Sequence, residues 1–255
     1  MVRGLGIFKI YFREHSDKYI LIGGAACDIL FSEVGLPFRA TKDLDIVLIV
    51  EALNPDFIKQ FWRFVESGQY QIQQKSESQK RYYRFFKPKQ KDFPAQLELF
   101  ARNPDLLDLV ENTHLTPIPV DEDLSSLSAI LMDEDYYSFI LEQSKMVDDL
   151  HLATVEALIC FKAKAFLDLK ALKEDGVNID ERDIKKHKND VVRLSVLLSE
   201  GATLALPDSI KSDMVEFISI LKNEPPDVKS IAKNMGLPSL EMQTILSLIK
   251  QTFSL

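Results

Sequence analysis

Two hydrophobic rhythms run along this chain, and they change over near residue 150. In the first part, apolar residues come in short runs bounded by glycine, proline or charge, with helical repeats between them. Residues 5–14 mix Ile7, Phe8, Ile10, Tyr11 and Phe12 with charges and predict a short helix. Residues 18–22 predict a strand. Residues 25–33 predict a helix, with Ile29, Leu30 and Val34 free to pack and Gly35 as its terminator. Residues 44–50 are almost wholly apolar after Asp45, as expected of a strand covered on both faces. Asn54-Pro55-Asp56 reads as a helix start: a cap, a first-turn proline, then an acid near the positive end. Phe57, Ile58, Phe61, Phe64 and Val65 then recur at helical spacing. Residues 70–74 and 81–86 flank a polar run at 75–80 and predict a hairpin. Residues 95–101 predict a strand with Gln96, Glu98 and Phe100 on one face. Beyond it come a short helix at 104–110, an extended piece at 115–120, a strand at 127–132 and a helix at 135–141.

From residue 152 the pattern is helical throughout. Long repeats cover 152–173 and 181–199, and shorter ones cover 210–221, 228–235 and 240–253. Pro225-Pro226 and Gly236-Leu237-Pro238 interrupt the last three. The predicted fold is therefore α/β (α+β). A mixed sheet with flanking helices occupies residues 1–150, and a helical half occupies 151–255.

Composition narrows the class. The 255 residues suit one large domain or two small ones. The longest apolar runs are too short to span a bilayer, and no signal-type segment follows Met1-Val2-Arg3-Gly4, so a soluble cytoplasmic protein is expected. Cys27 and Cys160 fall in helical patterns and read as buried thiols. A net charge of -8 argues against broad electrostatic binding to nucleic acid.

The candidate chemistry is concentrated near the N-terminus. Asp43 and Asp45 alternate along a strand and so point the same way. Paired carboxylates repel unless a cation sits between them, and a hard ion such as Mg2+ prefers such oxygen ligands, usually together with substrate phosphates. Glu98 lies mid-strand between leucines, where an acid is unusual unless it meets solvent or a ligand. Gly23-Gly24 sits between the first strand and a helix, and its N–H groups would form a seat for a phosphate. The bland alternatives are a strand that merely begins with acids and a tight turn.

Lys162 falls in the centre of the apolar stripe Val155, Leu158, Ile159, Phe166 and Leu169, whereas Lys164 falls on the solvent side. On a packing face a lysine must snorkel, pair with an acid or meet an anion such as a triphosphate. Asp190 lies at the edge of the next helix's stripe and could pair with Lys162, orient an acceptor hydroxyl or be solvated. His187 reads as a core histidine. The run Lys185-Lys186-His187-Lys188 is a solvated face or a small phosphate contact. In Arg81-Tyr82-Tyr83-Arg84-Phe85-Phe86, hairpin alternation competes with base stacking.

These residues resemble the nucleotidyltransferase superfamily of the DNA polymerase beta type. Its pattern is Gly-Gly or Gly-Ser, about a helix's length, an Asp-x-Asp pair, then a third acidic strand residue. Here those positions are Gly23-Gly24, Asp43/Asp45 and Glu98. Within the superfamily the chain looks most like AbiEii-type toxin proteins and their uncharacterised relatives. Those carry an Arg-x-Thr-x-Asp-Ile-Asp-like stretch, and then a lysine and an aspartate in a helical half. The matching residues here are Arg39, Thr41, Asp43, Asp45, Lys162 and Asp190, and the resemblance covers about residues 18–200. Many relatives have serine where this chain has Gly24, and the helical half offers only Lys188-Asn189-Asp190 in place of an Arg-Asp-x-x-Asp pattern.

The resemblance implies a Mg2+-dependent transfer of a nucleoside monophosphate from a nucleoside triphosphate to an acceptor hydroxyl, releasing pyrophosphate. Asp43, Asp45 and Glu98 would be the metal and catalytic carboxylates, with Glu98 a third ligand or a general base. Gly23, Gly24, Arg39, Thr41, Lys162 and Asp190 would serve nucleotide binding between the two halves. It further implies a toxin of a toxin–antitoxin or phage-defence system, with RNA, a protein or a small molecule as acceptor and a possible antitoxin partner. The rival expectations are a non-catalytic binding protein that retains the fold, and an antibiotic-modifying nucleotidyltransferase.

Overall fold

A computed structural model describes residues 2–72, 82–100, 130–131 and 133–255. The predicted elements at 104–110 and 115–120 and the polar run at 75–80 lie outside the described residues. The fold is mixed α/β. It divides into two compact units, one of residues 1–29, 39–120 and 144–153, the other of residues 30–38, 121–143 and 154–255.

The first unit holds the sheet. Its strands are β1 (Tyr19–Ile22), β2 (Asp43–Leu48), β3 (Gln71–Ile72), β4 (Tyr82–Phe86), β5 (Gln96–Phe100), β6 (Ser144–Val147) and β7 (Leu150–Ala153). Their order is β3-β4-β5-β2-β1-β7-β6. β2 runs parallel to β5 and antiparallel to β1, and β4 is antiparallel to β5. Helices α1 (Leu5–Phe12) and α3 (Pro55–Gly68) belong to this unit, and α2 (Gly23–Glu33) opens directly from the end of β1.

Side-chain alternation gives the sheet two unlike faces. One carries Tyr19, Leu44, Ile46, Phe85, Leu97 and Leu99, all buried. It is lined with aromatic rings from α1 and α3. Phe8 meets Tyr19 and Phe64 edge-on, Phe12 lies against Phe57, Phe61 and Phe64, and Phe85 meets Phe61 and Trp62. α3 begins where its sequence says it should: the Asn54 side chain accepts from the Phe57 N–H, with Pro55 in the first turn. The opposite face carries Asp43, Asp45, Gln96, Glu98 and Arg84.

Two expectations are corrected. The pattern at 152–173 is read as one helix, but Leu150–Ala153 is a strand and the helix is α5 (Val155–Glu174), capped by Thr154. Leu150 and Leu152 alternate with His151, a period of two that the longer apolar run hides. β6 and β7 form a hairpin through Asp148-Asp149, both at positive φ as a two-residue turn of this kind requires. Lys9 and Arg13 of the N-terminal segment pair with these aspartates, which carry the turn without the usual glycine. The strand at 127–132 falls mostly outside the described residues, but Ile130 is helical and Leu131 lies in a turn. The Asp133 N–H donates to the Ile130 carbonyl, and the Asp133 side chain caps α4 (Glu134–Glu142).

The second unit is built around α5. From Ala157 to Ala163 every residue is buried, as for a helix apolar on all sides. α4, α6 (Glu181–Ser195) and α7 (Asp208–Asn223) pack on it, and α8 (Val228–Asn234) and α9 (Met242–Phe253) complete the unit. Phe161 meets Tyr136 of α4 edge-on, and Phe166 meets Phe217 of α7. Among the described residues no helix is long and apolar enough to cross a membrane.

Phe64 is fully buried and touches Phe8, Tyr11, Phe12, Tyr70 and Phe93. Phe64→Ala should therefore cost about 3–5 kcal/mol in urea unfolding. A loss under about 1 kcal/mol would mean that the aromatic cluster does not hold the helices to the sheet.

Candidate functional site

The polar face of the sheet is set by strand register. Asp43 pairs with Gln96 and Asp45 with Glu98 on the parallel strands β2 and β5. Directly paired residues share a face, so Glu98 stands beside Asp45 on the side that also carries Asp43. On the far side of β5, Arg84 of β4 pairs with Glu98. A row of Arg84, Glu98 and Asp45 thus crosses three strands.

Glu98 is only 6% exposed, whereas both aspartates are half-buried. Arg84 Nε donates to Glu98 Oε1 at 3.1 Å, and Gln96 Nε2 donates to the same oxygen at 2.6 Å. A hydrogen bond also joins the Glu98 and Asp45 carboxyls. Burial, with Asp45 and Asp43 adding to it, raises the Glu98 pKa from 4.5 to about 8, and the Arg84 guanidinium offsets only part of the rise. Among the described residues no three Asp, Glu, His or Cys side chains are drawn up together as metal ligands.

The turn before α2 closes on the same carboxylates. Gly23 has φ +65, and a Cβ there would overlap Asp45 Oδ2, so no side chain fits between turn and carboxylate. At Gly24 a Cβ would come within 2.6 Å of Thr41 Oγ1. The Thr41 hydroxyl takes the room that a serine at this position would need. Arg39 and Thr41, both half-buried, lie in the segment that leads into β2. Gly23, Gly24, Thr41, Asp43, Asp45 and Glu98 all belong to the sheet unit.

Lys162 and Asp190 belong to the helical unit and meet each other. Lys162 Nζ lies 3.5 Å from Asp190 Oδ2, and Arg193 Nη1 donates to Asp190 Oδ1 at 3.1 Å. Asp190 is completely buried and Lys162 is 7% exposed, so one carboxylate is held between two cations. Lys164, expected on the solvent side, pairs with Asp168 at 3.2 Å and Asp213 at 3.4 Å. α5 is covered on nearly every side, so no lysine in its middle turns is free of neighbours. Burial works against the charge of Lys164, yet Asp168 and Asp213 hold its pKa above the usual lysine value. Tyr136 Oη donates to Asp213 at 2.9 Å and completes this half-buried network.

The basic run of α6 is answered locally. Lys185 pairs with Glu181, Lys186 with Asp183, and Lys188 donates to the Glu224 carbonyl while lying over the Phe166 ring. His187 is half-buried on the same helix. In the segment 82–86, alternation decides the roles: Arg84 turns to the carboxylates and Phe85 to the aromatic core. Sequence reasoning missed Arg84 and Gln96 as partners of Glu98. Gln96 was legible two residues before it on one strand face, but Arg84 depended on a hairpin register with no sequence signal.

No protein-family model and no curated protein matches the chain. Among solved structures it is similar to an antigenic nucleotidyltransferase-like protein from Paracoccidioides brasiliensis. The two are 16% identical with a TM-score of 0.42, over 91% of this chain and 93% of that one.

Two predictions follow from the geometry. Glu98 gains pKa on folding, so its contribution to stability is full below about pH 4.5, falls as pH rises and is gone above about 8. Over that window the slope is at most about 1.4 kcal/mol per pH unit. Glu98→Gln should flatten it, as read by urea unfolding at a series of pH values. Parallel pH profiles for the two proteins would refute the raised pKa. Secondly, Lys162→Met strips Asp190 of one of its two cations and should cost about 1.5–3 kcal/mol. Adding Asp190→Asn should recover most of that loss. Additive costs in this cycle would mean that the pair is not coupled.

Proposed function

We propose that this chain transfers a nucleotidyl group from a nucleoside triphosphate to an acceptor hydroxyl, with Mg2+ at Asp43 and Asp45. The observation that carries the reading is the meeting of Gly23 with Asp45. A helix-opening turn without a Cβ is set against a carboxylate whose neighbour on the next strand is a third acid. Phosphate and cation need these two surfaces side by side.

The residues fit a hard divalent ion. Asp43 and Asp45 offer oxygen donors from one strand face, and Gly23 puts no side chain beside them. When bound, the ion offsets phosphate charge and favours ionisation of the attacking hydroxyl. The first N–H groups of α2, at the positive end of that helix, would hold triphosphate oxygens. Arg39 and Thr41 would add a charge and a hydroxyl from the segment before β2. Glu98 would either complete the ligand set or take the proton of the acceptor hydroxyl on a carboxylate oxygen. As that proton leaves, the acceptor oxygen bonds to the α-phosphorus, the bond to the β-phosphate bridge breaks, and pyrophosphate departs.

Lys162 and Asp190 are not needed for these steps, since each has its partner within the helical unit. The toxin role implied by the resemblance adds no residue to the reading.

The test is incubation with each α-labelled triphosphate and Mg2+, against total RNA, total protein and a panel of small hydroxyl compounds. Label should pass to one of the three. Asp45→Asn should lower the transfer roughly 10²–10³-fold while leaving the fold intact. Undiminished transfer by that variant would refute the mechanism. Absence of transfer to every acceptor would favour a binding protein.

A further inference from the structure

The last two helices differ in charge from the rest of the helical unit. α8 and α9 carry Lys229, Lys233 and Lys250 and no acid, in a chain whose net charge is -8. Every lysine of α5 and α6 has an acid or a carbonyl as partner. Among the described residues Lys229, Lys233 and Lys250 are in no ion pair, and all three are exposed. α8 buries Ile231 and Ala232 and ends in a tight cap. The Gly236 N–H donates to the Lys233 carbonyl and the Leu237 N–H to the Ala232 carbonyl, with Gly236 at φ +70. Nothing stands within 4 Å of a Cβ at Gly236, so this glycine answers the backbone turn alone. α9 then starts at Met242, buries Ile245, Leu246, Ile249 and Phe253, and packs on α6 and α7. Its exposed side is polar: Gln243, Thr244 and Ser247 come first, and Lys250 and Gln251 follow a turn later.

We propose that α8 and α9 form a helix-turn-helix that docks on double-stranded DNA, with α9 in the major groove and Lys229 and Lys233 on the flanking phosphates. An α-helix fits that groove, and the residues α9 presents are of the kinds that read base edges there. Glutamine pairs with adenine through two hydrogen bonds, and serine and threonine can bond to any base. Gln243, Ser247 and Gln251 are spaced by four and share one side of the helix. The first helix of such a pair crosses the DNA backbone, which is where Lys229 and Lys233 would serve. Asp227 is committed to the Ser230 N–H as the cap of α8. Glu241 stands at the start of α9, where an acid can accept from a cytosine amino group. A protein partner is disfavoured because no large apolar side chain of α9 is exposed to anchor one. A single strand is disfavoured because neither helix exposes an aromatic ring for stacking. The reading does not rest on nucleotidyl transfer, since all its residues belong to the helical unit.

The test is fluorescence anisotropy of the full chain against a labelled duplex of about 30 base pairs with a random-sequence centre, in EDTA and without nucleotide, from about 50 to 200 mM salt. Variants are Lys229→Gln with Lys233→Gln, and Gln243→Ala. The control is Lys59→Gln with Lys91→Gln, which removes the same charge from exposed positions of the sheet unit. All these positions are exposed, and circular dichroism confirms that each variant is folded. The wild type should bind the duplex, more tightly at low salt. The α8 variant should bind about tenfold or more weakly at low salt, and its slope of log affinity on log salt should be shallower by about 2. The control should stay within about threefold of wild type. Repeated selection from the duplex pool should enrich one sequence, on which Gln243→Ala loses roughly tenfold while binding the unselected pool like the wild type. Absence of duplex binding at low salt, equal affinities for the α8 variant and the control, or tighter binding to single strands of the same pool would each overturn the inference. So would an enriched sequence that Gln243→Ala binds as well as the wild type. None of these results bears on nucleotidyl transfer, which is read by passage of label.

Discussion

Three acids held on one face of two adjacent strands disfavour one another's ionisation, and the sheet gives them no way to part. Asp45 and Glu98 are fixed opposite each other because the residues between them pair Leu44 with Leu97 and Ile46 with Leu99. Those leucines and isoleucines are buried on the aromatic face under α1 and α3. A slip of one residue would drive the carboxylates into that core and bring the apolar set out. The apolar packing of one face therefore enforces the electrostatic strain of the other. Burial, with Asp45 and Asp43 adding to it, pushes the Glu98 pKa up to about 8, and the Arg84 guanidinium offsets part of the rise.

The helical unit solves the same problem in the opposite direction. Asp190 is more deeply buried than any of the three sheet carboxylates, yet it has Lys162 on one oxygen and Arg193 on the other. Asp190 thus has a cationic partner on each oxygen, and its buried charge is paired. In the sheet, Glu98 meets Arg84 and Gln96, and Asp45 stands beside it on the next strand. Buried charge alone does not tell these cases apart. What sets the sheet cluster apart is its place against the Gly23 turn, where no side chain stands between a helix start and a carboxylate.

Much of this was legible from residue patterns where the pattern is local. Asn54-Pro55-Asp56 placed the start of α3, and the alternation in Asp43-Leu44-Asp45 and in Gln96-Leu97-Glu98 placed the acids on faces. What was not legible depends on distant pairing. The hairpin of β6 and β7 was missed because its turn is Asp148-Asp149, stabilised by Lys9 and Arg13 from far back in the chain. Lys164 was read as solvent-facing because a helical projection shows one apolar stripe. It cannot show that α4, α6 and α7 cover the rest of α5. Arg84 was hidden for the same reason: its role follows from which residue of β5 it opposes, and hairpin register across a long connection has no local code.

The glycines bring the local and distant parts together. Gly23 is required twice over, once by its positive φ at the end of β1 and once by the Asp45 carboxylate that fills the place of its side chain. The first requirement belongs to a strand turning straight into a helix. The second belongs to a strand about twenty residues further on, reached only after α2 and a loop. A turn needing glycine for its backbone alone would leave open space where the Cβ would be, as at Gly35. Here the space is occupied by a charged group that sits beside two further acids. The turn and the carboxylates were thus shaped against each other, and an anion at the helix start would lie next to whatever cation the aspartates hold.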